Sequence, residues 1–147
     1  MARQRKVAHE IANPLHTTKG FENETKDCAV RALVNVTKLS YAEAHQLMKI
    51  KCGRIDRRGT NTTLLGKFLD GNHGVEGVTT YRLPNIGHPR REVGKRRISI
   101  ATFIKYHSTG TFYCLVKGHA LAIVNGVVKD SFTNRGGRLI NAAWRVL

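Results

Sequence analysis

Between two apolar runs, His119 to Val124 and Val127 to Phe132, stands the dipeptide Asn125-Gly126. A type I′ turn requires positive φ at both central positions, which Asn and Gly tolerate best, so this pair marks a two-residue β-hairpin. The turn also fixes the register. Val124 opposes Val127, and pairing outward from there sets Leu121 opposite Asp130 and His119 opposite Phe132. His119 and Asp130 therefore emerge on one face as diagonal neighbours, about 7–8 Å apart at the backbone, a gap that an imidazole and a carboxylate span together.

The hairpin belongs to a second half with strand character. Thr111 to Val116 is β-branched and aromatic, a final strand is expected over Ala142 to Val146, and an earlier one over Val78 to Leu83. The first half is helical. From Cys28 to Thr37 apolar residues (Ala29, Val30, Leu33, Val34, Val36) alternate at helical spacing with the polar set Arg31, Asn35 and Lys38, and Asp27 stands at the N-cap position. Ser40 to Glu43 has capping-box spacing and opens a second helix that Gly53 ends. Leu64, Leu65, Phe68 and Leu69 form a short third helix reaching Gly71, and Ser99 caps a fourth that carries Ile100, Phe103 and Ile104 and closes by Gly110. Pro84 to Arg97, with its prolines, glycines and positive charge, reads as an exposed loop. The expected class is α+β, with N-terminal helices packed on a C-terminal antiparallel sheet.

At 147 residues and 41% hydrophobic content the chain suffices for one core. Residues 1–20 lack periodicity and read as a basic N-terminal arm, and residues 21–147 as a single domain. No run of about 18 apolar residues is present, so no membrane span is expected, and the polar start lacks a signal-peptide core. Three scattered cysteines, Cys28, Cys52 and Cys114, form neither a disulfide framework nor a zinc spacing, which points to a reducing compartment and to no metal or other cofactor. The net charge of +15 favours anionic partners, nucleic acid or another polyanion among them.

Cysteine nucleophiles react as thiolates, and the first turn of a helix stabilises a thiolate through unpaired N–H groups and the positive end of the helix dipole. Cys28 occupies that position. The same N–H groups can receive the oxyanion formed when sulfur attacks a carbonyl. With His119 as base and Asp130 orienting it, the three residues match the nucleophile–base–orienter logic of acyl transfer. A cysteine or histidine alone among apolar neighbours is more often a packing residue, but packing predicts neither Asp before Cys at a helix start nor His and Asp on one hairpin face.

The segments Asp27-Cys28-Ala29-Val30-Arg31-Ala32-Leu33, Gly118 to Val124 and Gly126 to Asp130, in the order Cys, His, Asp, resemble papain-like cysteine peptidases, particularly the C39-like branch and small papain-fold proteins of bacteriophages. The resemblance spans most of residues 21–132, with about two dozen diagnostic positions. It implies a papain-like fold, a peptide or isopeptide substrate cleaved through an acyl-enzyme, and catalytic roles for Cys28, His119 and Asp130. It also implies a location in the cytoplasm (a host's, for a phage protein) or in a virion. The family usually places glutamine six residues before the cysteine to complete the oxyanion hole. Here that position is Glu22, and the neighbouring Asn23 is the candidate amide. The rival reading is a non-catalytic scaffold that binds nucleic acid, or a virion or host protein partner, through basic surfaces, with Arg90, Arg91, Lys95, Arg96 and Arg97 as polyanion-binding candidates. Cys52 and Cys114 read as structural. His9, His16, His45, His73, His88 and His107 read as surface residues.

Overall fold

The hairpin forms as its turn chemistry dictates. In the computed structural model, which describes residues 7–11, 27–54, 60, 62–71, 79–87, 94–130 and 136–147, Asn125 and Gly126 take φ values of 48° and 77°. Val124 faces Val127, Ile123 faces Val128 and Ala122 faces Lys129, the register expected from the turn.

Around it the described residues form β1 (His9–Ile11), α1 (Cys28–Val36), α2 (Tyr41–Cys52), α3 (Thr62–Gly71), β2 (Thr80–Arg82), β3 (Ile98–Ser99), α4 (Ile100–Tyr106), β4 (Thr111–Val116), β5 (His119–Val124), β6 (Val127–Asp130) and β7 (Leu139–Val146). The strands make one sheet in the order β1-β6-β5-β4-β7-β2, with β3 also pairing β7. Every pairing of named strands is antiparallel except β1 with β6, so the sheet is mixed rather than purely antiparallel. β1 comes from the stretch read as an arm, and its register sets His9 beside Val128 and Ile11 beside Asp130.

Strand alternation sends side chains to two cores, one on each face. On one face Tyr113, Ala120, Ala122, Ala142 and Trp144 meet the apolar sides of α1, α2 and α3. On the other Phe112, Cys114, Leu121, Ile123 and Ile140 meet Ile100 and Phe103 of α4. The architecture is α+β, four helices and a seven-stranded sheet among the described residues. Small side chains line the contact of α1 with its neighbours: Ala29 and Ala32 on α1, Ala120 and Ala122 on β5, and Ala44 on α2 are all buried, and they let α1 lie close to β5.

Local chemistry sets most of the element boundaries. Ser40 and Glu43 exchange both capping-box hydrogen bonds, Glu43 N to Ser40 Oγ at 3.1 Å and Ser40 N to Glu43 Oε1 at 3.2 Å. Gly53, at φ 62°, ends α2 in the left-handed region. α4 stops earlier than its sequence implied. It ends at Tyr106, with the His107 N–H bonded to Phe103 O, and Gly110 at φ 103° turns the chain into β4 instead.

The loop from Pro84 to Arg97 is less exposed than its composition implied. Ile86 is buried in the second core, and Gly87 N and Arg96 N bond to Arg96 O and Asn85 O, which pins the two ends of the loop together. Residues 88–93 within it lie outside the described residues.

Candidate active site

Cys28 is the first residue of α1, and both of its sequence neighbours are held by tyrosine hydroxyls. Tyr113 of β4 donates to Ala29 O at 2.9 Å. Tyr41 of α2 donates to Asp27 Oδ2 at 2.5 Å, while Arg31 Nε donates to Asp27 Oδ1 at 2.8 Å. The Asp27 and Arg31 side chains are only 1% and 7% exposed. Asp27 therefore differs from its expected role: it stands at the N-cap position but makes no side-chain cap, because its carboxylate is committed to Arg31 and Tyr41. Burial pushes the Asp27 carboxyl up, and those two hydrogen bonds, the Arg31 charge and a backbone hydrogen bond together outweigh it, leaving a net shift downward. Arg31, read as part of a polar face, is buried because this pairing neutralises it.

Across from Cys28, the hairpin delivers its diagonal pair. His119 Nε2 lies 2.6 Å from Asp130 Oδ2, with the two side chains 8% and 4% exposed. With Nε2 held there, Nδ1 is the ring nitrogen left to face other partners, and His119 and Cys28 lie close enough for each to shift the other's titration. Burial pushes the Cys28 thiol up. The His119 hydrogen bond, the backbone N–H of Ala120, the imidazolium charge and the backbone N–H of Ala29 outweigh it, and the net shift is downward. Burial pushes His119 down, and the hydrogen bonds and charges of Asp130 and Cys28 overcome this and raise it to about 9. Both shifts favour the same state, a thiolate beside an imidazolium.

The other thiols lack such partners. Cys52 and Cys114 are buried, and burial alone pushes Cys52 to about 11 and Cys114 further up. Among the described residues no group of His, Cys, Asp and Glu is placed to hold a metal ion, and no helix is long and apolar enough to cross a membrane.

Of the remaining candidates, Lys95 is half-buried and Arg96 and Arg97 are exposed on the approach to β3, while Glu22, Asn23, Arg90 and Arg91 lie outside the described residues. His45 corrects the reading of the spare histidines as surface residues. It is buried 3.2 Å from Arg54 Nη1, in a contact its sequence context does not reveal. His107 is half-buried against the rings of Phe103 and Phe112. His9 lies in β1, and His16, His73 and His88 lie outside the described residues.

Tyr41, Tyr113 and the Ala120 N–H are the parts of the site that sequence reasoning missed. The Asp27–Arg31 spacing of four was a readable signal for one anchor. Nothing local marks Tyr41, fourteen residues on, as a partner of Asp27, or Tyr113, 84 residues on, as a partner of Ala29. Compared with family models, with curated proteins and with solved structures, the chain matches none.

Proposed function

We propose that this protein is a thiol hydrolase of the papain-like cysteine-peptidase type, cleaving a peptide or isopeptide bond through an acyl-enzyme. The observation that carries the reading is one relay: Cys28 at a helix start, electrostatically coupled to His119, whose Nε2 is 2.6 Å from Asp130. The Cys–His–Asp order and the packing of α1 on β5 support the papain-like part of the proposal.

In this mechanism the Cys28 sulfur attacks the substrate carbonyl carbon, and the carbonyl electron pair moves to oxygen. The N–H groups at the start of α1 can receive that oxyanion. As the tetrahedral species collapses, the carbon–nitrogen bond breaks and His119 gives its proton to the leaving amine. Water then attacks the thioester, its proton passes to His119, and the carbon–sulfur bond breaks to restore the thiolate. Asp130 keeps the imidazole in one orientation and stabilises its charged form throughout.

The test is a pair of measurements on the wild-type chain and on Cys28→Ala. Iodoacetamide should label Cys28 far faster than Cys52 at pH 6–7, and a mixed peptide library should be cleaved by the wild type only. Equal labelling of the two thiols would remove the hydrolase reading. Fast labelling without any cleavage would leave a thiolate site on a binding scaffold.

A further inference from the structure

Asp130 is the last residue of β6, and the two strands beside β6 reach different distances along it. β5 pairs from Val127 to Lys129, while β1 pairs from Val128 to Asp130, with Ile11 beside Asp130. The residue whose carboxylate lies 2.6 Å from His119 Nε2 therefore enters the ladder through β1. Val128 N donates to Ala8 O at 2.9 Å. In a strand the N–H and carbonyl of one residue point to the same side, and that side alternates along the chain, so Glu10 also turns its N–H and carbonyl toward β6. Those groups meet β6 between Val128 and Asp130.

β1 is lightly held. It has three residues and lies at the end of the strand order, against β6, and parallel pairing is slightly weaker per residue than antiparallel. Two side-chain contacts add to the ladder. Val7, just before the strand, packs partly buried against the second core. Glu10 Oε2 lies 3.8 Å from Lys129 Nζ, with the Glu10 side chain 59% exposed, so this ion pair contributes little. Segments with few buried contacts open locally at low free energy. His119 is acted on by Asp130 from β6 and by Cys28 from α1, so a change in the placement of Asp130 reaches the thiol through the imidazole.

We propose that β1 is a positioning strand for the thiol–imidazole pair: by completing the β6 ladder at Asp130 it holds the carboxylate on His119, and its release lowers the reactivity of Cys28. The N-terminal segment is then a regulatory element and not a passive arm. This rests on the thiol-hydrolase reading and adds how that site is controlled.

The test uses full-length variants and reads the pH profile of Cys28 labelling by iodoacetamide. Glu10→Pro removes the N–H that faces β6 and puts a ring in its place. Val7→Ser, added to it, withdraws the contact with the second core. The double variant should exchange its Val128 amide hydrogen faster than the wild type, label Cys28 about fivefold more slowly at pH 7, and reach half of its labelling plateau at a higher pH. Glu10→Ala keeps the N–H and loses only the ion pair to Lys129, so its profile should follow the wild type.

A wild-type profile in the double variant overturns the proposal. So does an equal shift in Glu10→Ala, which would assign the effect to charge. Cys52 labelling should stay slow throughout; a Cys52 rate that rises to that of Cys28 in the double variant also overturns the proposal, because β1 would then hold the whole fold and not the pair. The hydrolase reading fails separately, through labelling of wild-type Cys28 no faster than Cys52.

Discussion

Cys28 begins a helix and Cys52 ends one, and the two thiols show how opposite surroundings act on the same chemical group. Burial pushes both toward the neutral thiol. At the start of α1 the free N–H groups, the His119 imidazolium and the Ala120 amide reverse that push. At the end of α2 nothing opposes it, and Cys52 rises to about 11. A helix terminus is therefore only half of a nucleophile site. The partner delivered by the sheet supplies the other half, and α1 must be held still for the two to meet.

The largest change should come from releasing the start of α1. Asp27→Ala leaves Arg31 charged and buried without its carboxylate, which should cost about 3–5 kcal/mol of folding stability in urea titrations. The loss should also carry Cys28 reactivity down toward that of Cys52; a stable Asp27→Ala protein with undiminished Cys28 labelling would show that the anchor is dispensable. His119→Ala is next. Removing the hydrogen bond and charge leaves burial dominant at Cys28, so its pKa should rise and iodoacetamide labelling at pH 6 should slow by more than about tenfold. A drop of less than about threefold would mean that the helix terminus alone activates the thiol, and the contrast with Cys52 would then rest on helix polarity.

How much of this was legible in the sequence follows from which interactions are local. The Asn125-Gly126 turn determines register over its own few residues, so the approach of His119 to Asp130 could be worked out before the fold was known. Capping at Ser40 and the αL stop at Gly53 were readable for the same reason. The approach of Cys28 to His119 was not, because it depends on alanines from three elements letting α1 settle on β5. Buried charge was likewise hidden. Arg31 looked like a solvated face residue and His45 a surface histidine; Arg31 is buried together with its i,i+4 partner Asp27, and His45 is buried against Arg54, a burial that only tertiary structure supplies. The pairing of β1 with β6 also escaped notice, since three residues are too few to show a strand period.

Titration sharpens the contrast between the two helix ends further. His119 sits at about 9, above the ordinary imidazole value of 6.5, so its protonated form favours the folded state. That contribution is complete below about pH 6.5 and is lost as pH rises through about 9, so the urea midpoint should fall across this window. Cys28 labelling should already be substantial well below pH 9, and Cys52 labelling should still be climbing near pH 11. Asp130→Asn should lower the His119 value and slow Cys28 labelling at neutral pH by about tenfold. An unchanged midpoint-versus-pH curve in Asp130→Asn would mean that Asp130 does not set the imidazole charge.

The smallest expected effect separates holding α1 in place from folding it. Tyr113→Phe keeps the buried ring against Trp144 and removes only the hydroxyl that binds Ala29 O, one residue from Cys28. Losing that bond should cost about 1 kcal/mol. Gly53→Ala at the end of α2 should cost a similar amount, about 1–2 kcal/mol, through strain at its positive φ, since a Cβ there meets only Leu64 Cδ1 at 3.8 Å. The two variants should diverge in reactivity. Tyr113→Phe should slow Cys28 labelling about twofold and shift its pH profile upward, because Ala29 and its N–H lose their fixed place beneath the sulfur. Gly53→Ala should leave that profile where it is. Identical profiles in both variants would show that Tyr113 contributes only stability, and the start of α1 would then be positioned by Asp27, Arg31 and Tyr41.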